Sequence, residues 1–304
     1  MTTPVVGIDI GGTKTAVALV DRAGQVLERC EAPTPARSGP GAVLDTAARL
    51  ATDLLGAAAG PVGVGTAGAV DPATGVIRYA TDSLPGWAGT PVADALAARL
   101  GRGVRVVNDV NAAALGECWA GAGRDRAHVL LVAVGTGLGG AVVRNGRVEA
   151  GARGAAGEVG HLPTPGAERL RCGCGRYGHL EAIASGSGLA AAYLIETGTR
   201  VTGRTVAERA VAGDEVAQRV VERAGAVLGA ALAGLVALLD PDVVLVAGGA
   251  AGALLPAASA AYPAELPAGW ADVPLLPATL GADAVVVGAA RLTIGGPDIE
   301  RANG

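Results

Sequence analysis

The amino-acid sequence predicts an α/β protein built from two similar halves, and three observations carry that prediction. Apolar runs of strand length alternate with longer stretches of helical period, the order that lays helices against sheets. One pattern (strand, glycine turn, strand, tight turn, strand) opens at residue 5 and returns at residue 129. Each opening strand runs straight into glycines, Gly11-Gly12 in the first copy and Gly135-Thr136-Gly137 in the second.

Taken in order, Val5–Ile10 is apolar except for Asp9 and reads as a buried strand. The segments 15–21 and 25–31 flank Arg22-Ala23-Gly24, a hairpin turn. Helical period marks 42–58 and 92–100, and Pro91 suits a first helical turn. The runs 62–66 and 104–107 read as buried strands, the second delivering Asn108 and Asp109 at its carboxyl end, where open α/β sheets collect ligands. The pattern then repeats over 129–134, 140–144 and 147–149, with Asn145-Gly146 as the second hairpin turn. Helices are expected over 205–211 and 215–239, the latter ended by Asp240-Pro241-Asp242, and 243–247 returns to strand before Gly248-Gly249. A short final strand is expected at 285–287, the start of a last helix at 289–294, and a frayed end at Asn303-Gly304. The expected domains are a small N-terminal α/β domain over 1–115, completed by a C-terminal helix over 289–304, and a larger α/β domain over 116–288.

Composition narrows the function. A chain of 304 residues, half of them hydrophobic, suffices for two domains. A net charge of −4 without a basic stripe offers nothing to nucleic acid or an anionic membrane, and 2% aromatics with no Phe leaves no platform for base stacking. The opening MTTPVVGIDIGG lacks the charged region of a signal peptide. Mean hydropathy of +0.42 raises the membrane question, but the longest proline-free apolar run, 224–239, falls short of the roughly 20 residues of a spanning helix and reads as buried. Four cysteines without even spacing fit a reducing compartment, so the expected location is the cytoplasm.

Chemistry concentrates in 154–181, GAAGEVGHLPTPGAERLRCGCGRYGHLE, which holds His161, Cys172, Cys174 and His179 beside Glu158 and Glu181. Two thiolates and two imidazoles suit tetrahedral Zn²⁺. A disulfide is disfavoured, because cysteines one residue apart rarely reach unstrained bridge geometry. The plainer reading is free thiols and surface histidines on a glycine-rich loop. No Gly-x-x-x-x-Gly-Lys-Ser/Thr is present. The runs Asp9-Ile10-Gly11-Gly12-Thr13-Lys14 and Gly135-Thr136-Gly137-Leu138-Gly139-Gly140 each bring backbone N–H groups where phosphate oxygens can approach, although either alone is weak in a chain with 49 glycines. In Asn108-Asp109-Val110-Asn111, a carboxylate poised as general base competes with simple helix capping.

Together GEVGH, CGCGRYGHLE and NDVNAA, in that company of glycine turns, resemble the ROK family of sugar kinases and sugar-sensing repressors, over residues 7 to about 288. The resemblance implies the duplicated ribonuclease H-like (actin-like ATPase) fold, with two domains around a central cleft. It implies ATP-dependent phosphorylation of a hexose 6-hydroxyl, glucose first, with ATP, Mg²⁺ and a structural Zn²⁺. Asp109 would be the base; Asn108, Asp109, Glu158, His161, Glu181, Ser83 and Gly68 would line the sugar site. Asp9, Gly11, Gly12, Thr13, Lys14, Gly135, Thr136 and Gly137 would hold the phosphates, with Asp9 near Mg²⁺, and Gly248-Gly249 the adenosine side. His161, Cys172, Cys174 and His179 would hold zinc, and a homodimer is implied. The chain departs from the family at His179, where a third Cys is usual, at Ser83, where Asn is usual, and at Ala67, where Pro is usual. N-acetylmannosamine, glucosamine or fructose kinases remain alternatives, as does a catalytically silent sugar binder. A DNA-binding repressor is disfavoured, because the first strand begins by Val5 with no room for a helix-turn-helix.

Overall fold

The computed structural model describes residues 3–294 apart from 57, 59, 82 and 271. Asp82, which opens the DSLPGW segment, and 295–304, with Asn303-Gly304 and most of the expected C-terminal helix, lie outside the described residues.

Two five-stranded sheets share one topology. In the first, β1 (Val5–Ile10), β2 (Lys14–Val20) and β3 (Val26–Pro33) form an antiparallel meander. After β4 (Val62–Thr66) and a small ribbon of β5 (Ala69–Val70) and β6 (Ile77–Tyr79) comes β7 (Val104–Asn108), and the sheet order is β3-β2-β1-β4-β7. The second sheet uses β8 (His128–Val134), β9 (Leu138–Arg144), β10 (Arg147–Val148), β11 (Val243–Ala247) and β12 (Leu275–Pro277), in the matching order β10-β9-β8-β11-β12. Both opening strands are almost wholly buried, as strands covered on two faces must be. The second hairpin turns on Asn145 and Gly146 at φ 51° and 73°, the paired positive angles that the twist of a two-residue hairpin demands.

The helices are α1 (Pro40–Leu55), α2 (Val92–Leu100), α3 (Asp109–Ala120), α4 (Glu181–Ala184), α5 (Gly186–Thr197), α6 (Gly203–Val211), α7 (Glu215–Leu239), α8 (Ala251–Ala261) and α9 (Ala284–Arg291). In α1 the buried Val43, Leu44, Ala47, Leu50, Ala51 and Leu54 repeat at helical spacing, and Pro40 stands in the first turn, where its missing N–H costs nothing. The Asp214 side chain caps α7 by accepting the Ala217 N–H, and Asp240 closes it in the left-handed conformation at φ 46°. By length and composition α7 could cross a membrane, but 56% of its most apolar window is buried in the protein, with Val220, Ala224, Leu228, Leu232 and Val236 in its core.

Residues 285–287, expected as a strand, lie inside α9. Three consecutive valines favour strand locally, but the surrounding alanines and glycine let this helix approach its neighbours closely, and tertiary burial of Val286, Val287, Ala289 and Ala290 overrides the local preference. The last helix therefore starts before 289, at Ala284, and its regular part ends at Arg291.

By their contacts the residues fall into two compact units, one of Met1–Ala127, Ala141–Ala156 and Thr279–Gly304, the other of His128–Gly140 and Gly157–Ala278. The division expected between 115 and 116 falls inside α3. There Gly116 lies so close to α9 that a Cβ would overlap the Ala284 carbonyl, which ties this part of α3 to the first unit.

Candidate functional site

In the first unit, strand register gathers the candidate acids. Asp9 pairs with Gly65 across β1 and β4, and Thr66 with Asn108 across β4 and β7, so Asp9, Asn108 and Asp109 stand at the carboxyl ends of neighbouring parallel strands. Asn108 is the helix cap: its Oδ1 accepts the N–H groups of Val110 at 2.8 Å and Asn111 at 3.2 Å, while its Nδ2 donates to the Gly68 carbonyl at 3.0 Å. With the cap position filled, Asp109 begins α3 and accepts the Val110 N–H at 2.9 Å. Burial raises its carboxyl above the usual range, against the lowering effect of that N–H and of Asn108. Asp9 is pushed up to about 7 by burial and by the charge of Asp109, against Lys14 and Arg29.

Other candidates in this unit have prior engagements. Lys14 Nζ lies 3.0 Å from the Glu31 carboxylate. The Thr34 hydroxyl donates to the Gly11 carbonyl at 2.7 Å and the Thr34 N–H to the Thr13 carbonyl at 3.0 Å. In a planar trans peptide the C=O and the following N–H point in opposite directions, so the Gly12 N–H points away from Thr34. A Cβ on Gly12 would stand 2.8 Å from the Ser83 carbonyl, so this glycine also admits the 83–87 segment. Ser83 is exposed, with Oγ 2.9 Å from Thr81 Oγ1. Trp87 is buried and donates from Nε1 to Thr66 Oγ1 at 3.1 Å, which makes it core packing.

In the second unit the glycine turn is oriented from behind. Gly186 N–H donates to the Gly135 carbonyl at 2.8 Å, and Ser187 N–H to the Thr136 carbonyl at 3.0 Å. The same peptide planarity turns the N–H groups of Thr136 and Gly137 away from α5, as a pair of donors suited to an anion. Gly248 has φ 97°, and a Cβ there would overlap the Val134 carbonyl, so packing on β8 is reason enough for this glycine. Gly249 has no comparable packing reason.

The Cys/His segment folds the four donors together. His161, Cys172, Cys174 and His179 place their ligand atoms within 4.8 Å of one another. Cys172 Sγ is 3.6 Å from His161 Nδ1, and Cys174 Sγ is 3.4 Å from His179 Nδ1. Tetrahedral Zn²⁺, with Zn–S about 2.3 Å and Zn–N about 2.0 Å, sets S···N near 3.5 Å, so the donor set fits the ion with His179 in place of a third Cys. The other ring nitrogen of His161, Nε2, lies 3.8 Å from Glu158 Oε2, too long for a hydrogen bond. Burial, with the Glu181 carboxylate alongside, pushes the Cys172 thiol up to about 12. Glu181 accepts the N–H groups of Leu138 at 3.0 Å and Gly173 at 3.1 Å.

The structure thus gathers Asp9, Asn108, Asp109 and Gly68 within one unit, and Glu158, His161, Glu181, the Cys pair and Gly135-Thr136-Gly137 within the other. Sequence reasoning missed Thr34 and the start of α5 as supports of the two turns. Thr34 carried no signal; the Ser185-Gly186-Ser187 run did, as a helix cap, and Ser185 accepts the Gly188 N–H at 3.1 Å. Asn111 is 8% exposed, and its Oδ1 has no partner among the described residues.

The ROK family model matches residues 5–295. A glucokinase of Halalkalibacterium halodurans is 34% identical over 80% of this chain and 79% of its own length. An N-acetylmannosamine kinase of Shigella boydii is 38% identical over 95% of this chain and 97% of its own. The crystal structure of a ROK family glucokinase from Streptomyces griseus, in complex with glucose and AMPPNP, aligns with a TM-score of 0.81 at 33% identity, covering 95% of this chain and 99% of that one. The repeated sheet order is that of the actin-like ATPase fold these structural neighbours share. On a match that runs nearly end to end, this chain belongs to the ROK family.

Proposed function

We propose that this protein phosphorylates the 6-hydroxyl of a hexose with ATP, glucose being the first substrate. An ATP-dependent sugar kinase of the ROK type follows from its kinship with glucokinases and N-acetylmannosamine kinases. The observation that supports the mechanism best is the division of labour at the start of α3: Asn108 caps the helix, and Asp109 keeps a carboxylate whose affinity for a proton is raised by burial.

Asp109 takes the proton from the sugar 6-hydroxyl as that oxygen attacks the γ-phosphorus and the bond to the bridging oxygen of ADP breaks. The N–H groups of Gly12, Thr136 and Gly137 receive phosphate oxygens, with Gly11, Thr13, Lys14 and Gly135 completing the two turns and Gly248-Gly249 serving the adenosine side. Asp9 would hold Mg²⁺ through water, and that ion neutralises phosphate charge. Asn108, Gly68, Ser83, Glu158, His161 and Glu181 recognise the sugar hydroxyls. His161, Cys172, Cys174 and His179 would hold Zn²⁺ as a structural clamp that fixes His161 by Nδ1. A cytoplasmic homodimer of two domains completes this reading.

N-acetylmannosamine is the second candidate substrate, favoured by the relative that aligns over 95% of the chain. A coupled ADP-release assay over glucose, N-acetylmannosamine, glucosamine and fructose, on wild type and Asp109→Asn, tests both. Turnover of glucose that collapses in the variant, with sugar binding retained, is the expected result. Turnover of another sugar alone replaces the substrate; sugar binding without turnover of any makes the protein a silent binder and ends the mechanism.

A further inference from the structure

Glu181 bridges two loops of the second unit. Its Oε1 accepts the Gly173 N–H at 3.1 Å and lies 3.1 Å from Cys172 Sγ; its Oε2 accepts the Leu138 N–H at 3.0 Å. Gly173 stands between Cys172 and Cys174, and Glu181 follows His179 by two residues, so three of the four clustered donors flank the two ends of this contact. On the other side, Leu138 closes the glycine turn. Its N–H points at Glu181, so the Gly137 carbonyl of the same peptide points back into the turn, where it accepts the Gly135 N–H at 3.0 Å. The two preceding peptides are held by Gly186 and Ser187. All three peptides of the turn therefore take their orientation from the segment 181–187.

We propose that Glu181 is a positioning residue that couples the Cys/His loop to the nucleotide turn, so that metal held in the loop sets how tightly the turn grips the phosphates of ATP. This rests on the reading of Gly135-Thr136-Gly137 as a phosphate clamp. Metal at Cys172, Cys174 and His179 fixes Gly173 and the start of α4. Glu181 passes that fixation to Leu138, and the Thr136 and Gly137 donors keep their aim. Without the bridge the turn retains its backbone but loses its register, and preorganised donors bind an anion better than donors that must first be ordered.

Gly173→Ala tests this from the metal side without touching the turn or any of the four donors. Its Cβ would stand 3.0 Å from Glu181 Oε1, tighter than an ordinary Cβ contact, so the carboxylate must shift off its N–H partners. The expected variant keeps its zinc content and melting temperature, yet binds AMPPNP about tenfold more weakly in the absence of sugar. Its KM for ATP rises while kcat holds, a split that general destabilisation does not produce. Glu181→Gln provides the second arm, with AMPPNP affinity measured before and after zinc is chelated. Wild type should lose about tenfold on chelation, and Glu181→Gln should start weak and no longer respond. Gly173→Ala binding AMPPNP like wild type, or a wild-type affinity indifferent to zinc, overturns the coupling. If Gly173→Ala fails to fold, the chelation pair decides alone. Zinc-loaded wild type that binds no AMPPNP removes the kinase reading itself, and the coupling with it.

Discussion

The two sheets have the same strand order, but the candidate site residues of the two units are held by different means. In the first unit, Asp9 and Asn108-Asp109 ride on strand ends and on a helix start, so the register of regular structure places them. In the second, Glu158 and His161 ride on a long connection between β10 and α4 whose only regular helical element before Glu181 is the short 3₁₀ turn Val159–His161. That connection is closed by a few backbone bonds, such as Cys172 N–H to the Arg176 carbonyl at 2.8 Å and Leu180 N–H to the Leu162 carbonyl at 2.9 Å, and by the Cys/His cluster. The supports of the glycine turns differ too: a hydroxyl, Thr34, holds the first, and a carboxylate with two helix N–H groups holds the second. A duplicated scaffold thus repeats the place of a site without repeating its anchoring. Where side chains come from a loop, individual backbone and side-chain hydrogen bonds take over the task of strand register.

The sharpest way to break this comparison is at the acid of the first unit. Asp109→Asn should lower kcat by about 10²–10⁴-fold with the fold intact, read by ADP release beside a thermal melt. A fall of less than about tenfold would move the base elsewhere. The Cys/His cluster of the second unit comes next. Cys172→Ser should lose its zinc by metal analysis and become open to limited proteolysis within 157–181, while fragments of the first unit stay protected. Unchanged cleavage there would mean that backbone bonds alone hold the loop.

A buried carboxylate supplies the stability counterpart in the first unit. Glu117 is fully buried and accepts the N–H groups of Ala122, Thr279 and Leu280 at 2.7–2.9 Å, with the Thr279 hydroxyl at 3.2 Å. Glu117→Gln turns an amide NH₂ toward those donors and should cost about 2 kcal/mol in urea unfolding. A loss too small to measure would mean the chain from Thr279 onward is held by α9 packing alone. The smallest effect is a pH slope. Folding raises the Asp9 carboxyl from 3.8 to about 7, so the folded state binds its proton more tightly than the unfolded chain does. Its contribution is therefore full below about 4 and fades as pH rises through about 7. In Mg²⁺-free buffer Asp9→Asn should flatten the decline between pH 5 and 8 and gain most at the upper end. Parallel curves for variant and wild type would refute this.

Much of the fold was legible because its signals are local. The hairpins at Arg22-Ala23-Gly24 and Asn145-Gly146, the strands Val62–Thr66 and Val243–Ala247, and the helices Val92–Leu100 and Glu215–Leu239 stand where periodicity and turn residues put them. The failures are instructive. Residues 285–287 belong to α9, and α8 formed around Pro256 in an alanine-rich run that gave no amphipathic pattern to read. At the site, the Cys/His cluster was legible from residue type and spacing, since few other uses unite two thiols and two imidazoles in so short a stretch. Spacing could not reveal which of Asn108 and Asp109 caps α3, that Lys14 is held by Glu31, or that Glu181 reaches two loops at once.

By itself the sequence determined the two repeated strand–turn units, the α/β class, and the residue types available for phosphate, sugar and metal. Each follows from chemistry within a few positions of chain, where sterics, hydrogen-bonding capacity and hydrophobic period act directly. Tertiary structure decided the rest. It set the strand register that aligns Asp9 with Asn108-Asp109, the burial that raises their carboxyls, and the helical state of 284–291. It also gave Glu181 its partners in two loops. These depend on which distant groups are brought within a few ångströms and shielded from water, and only the packed chain fixes that.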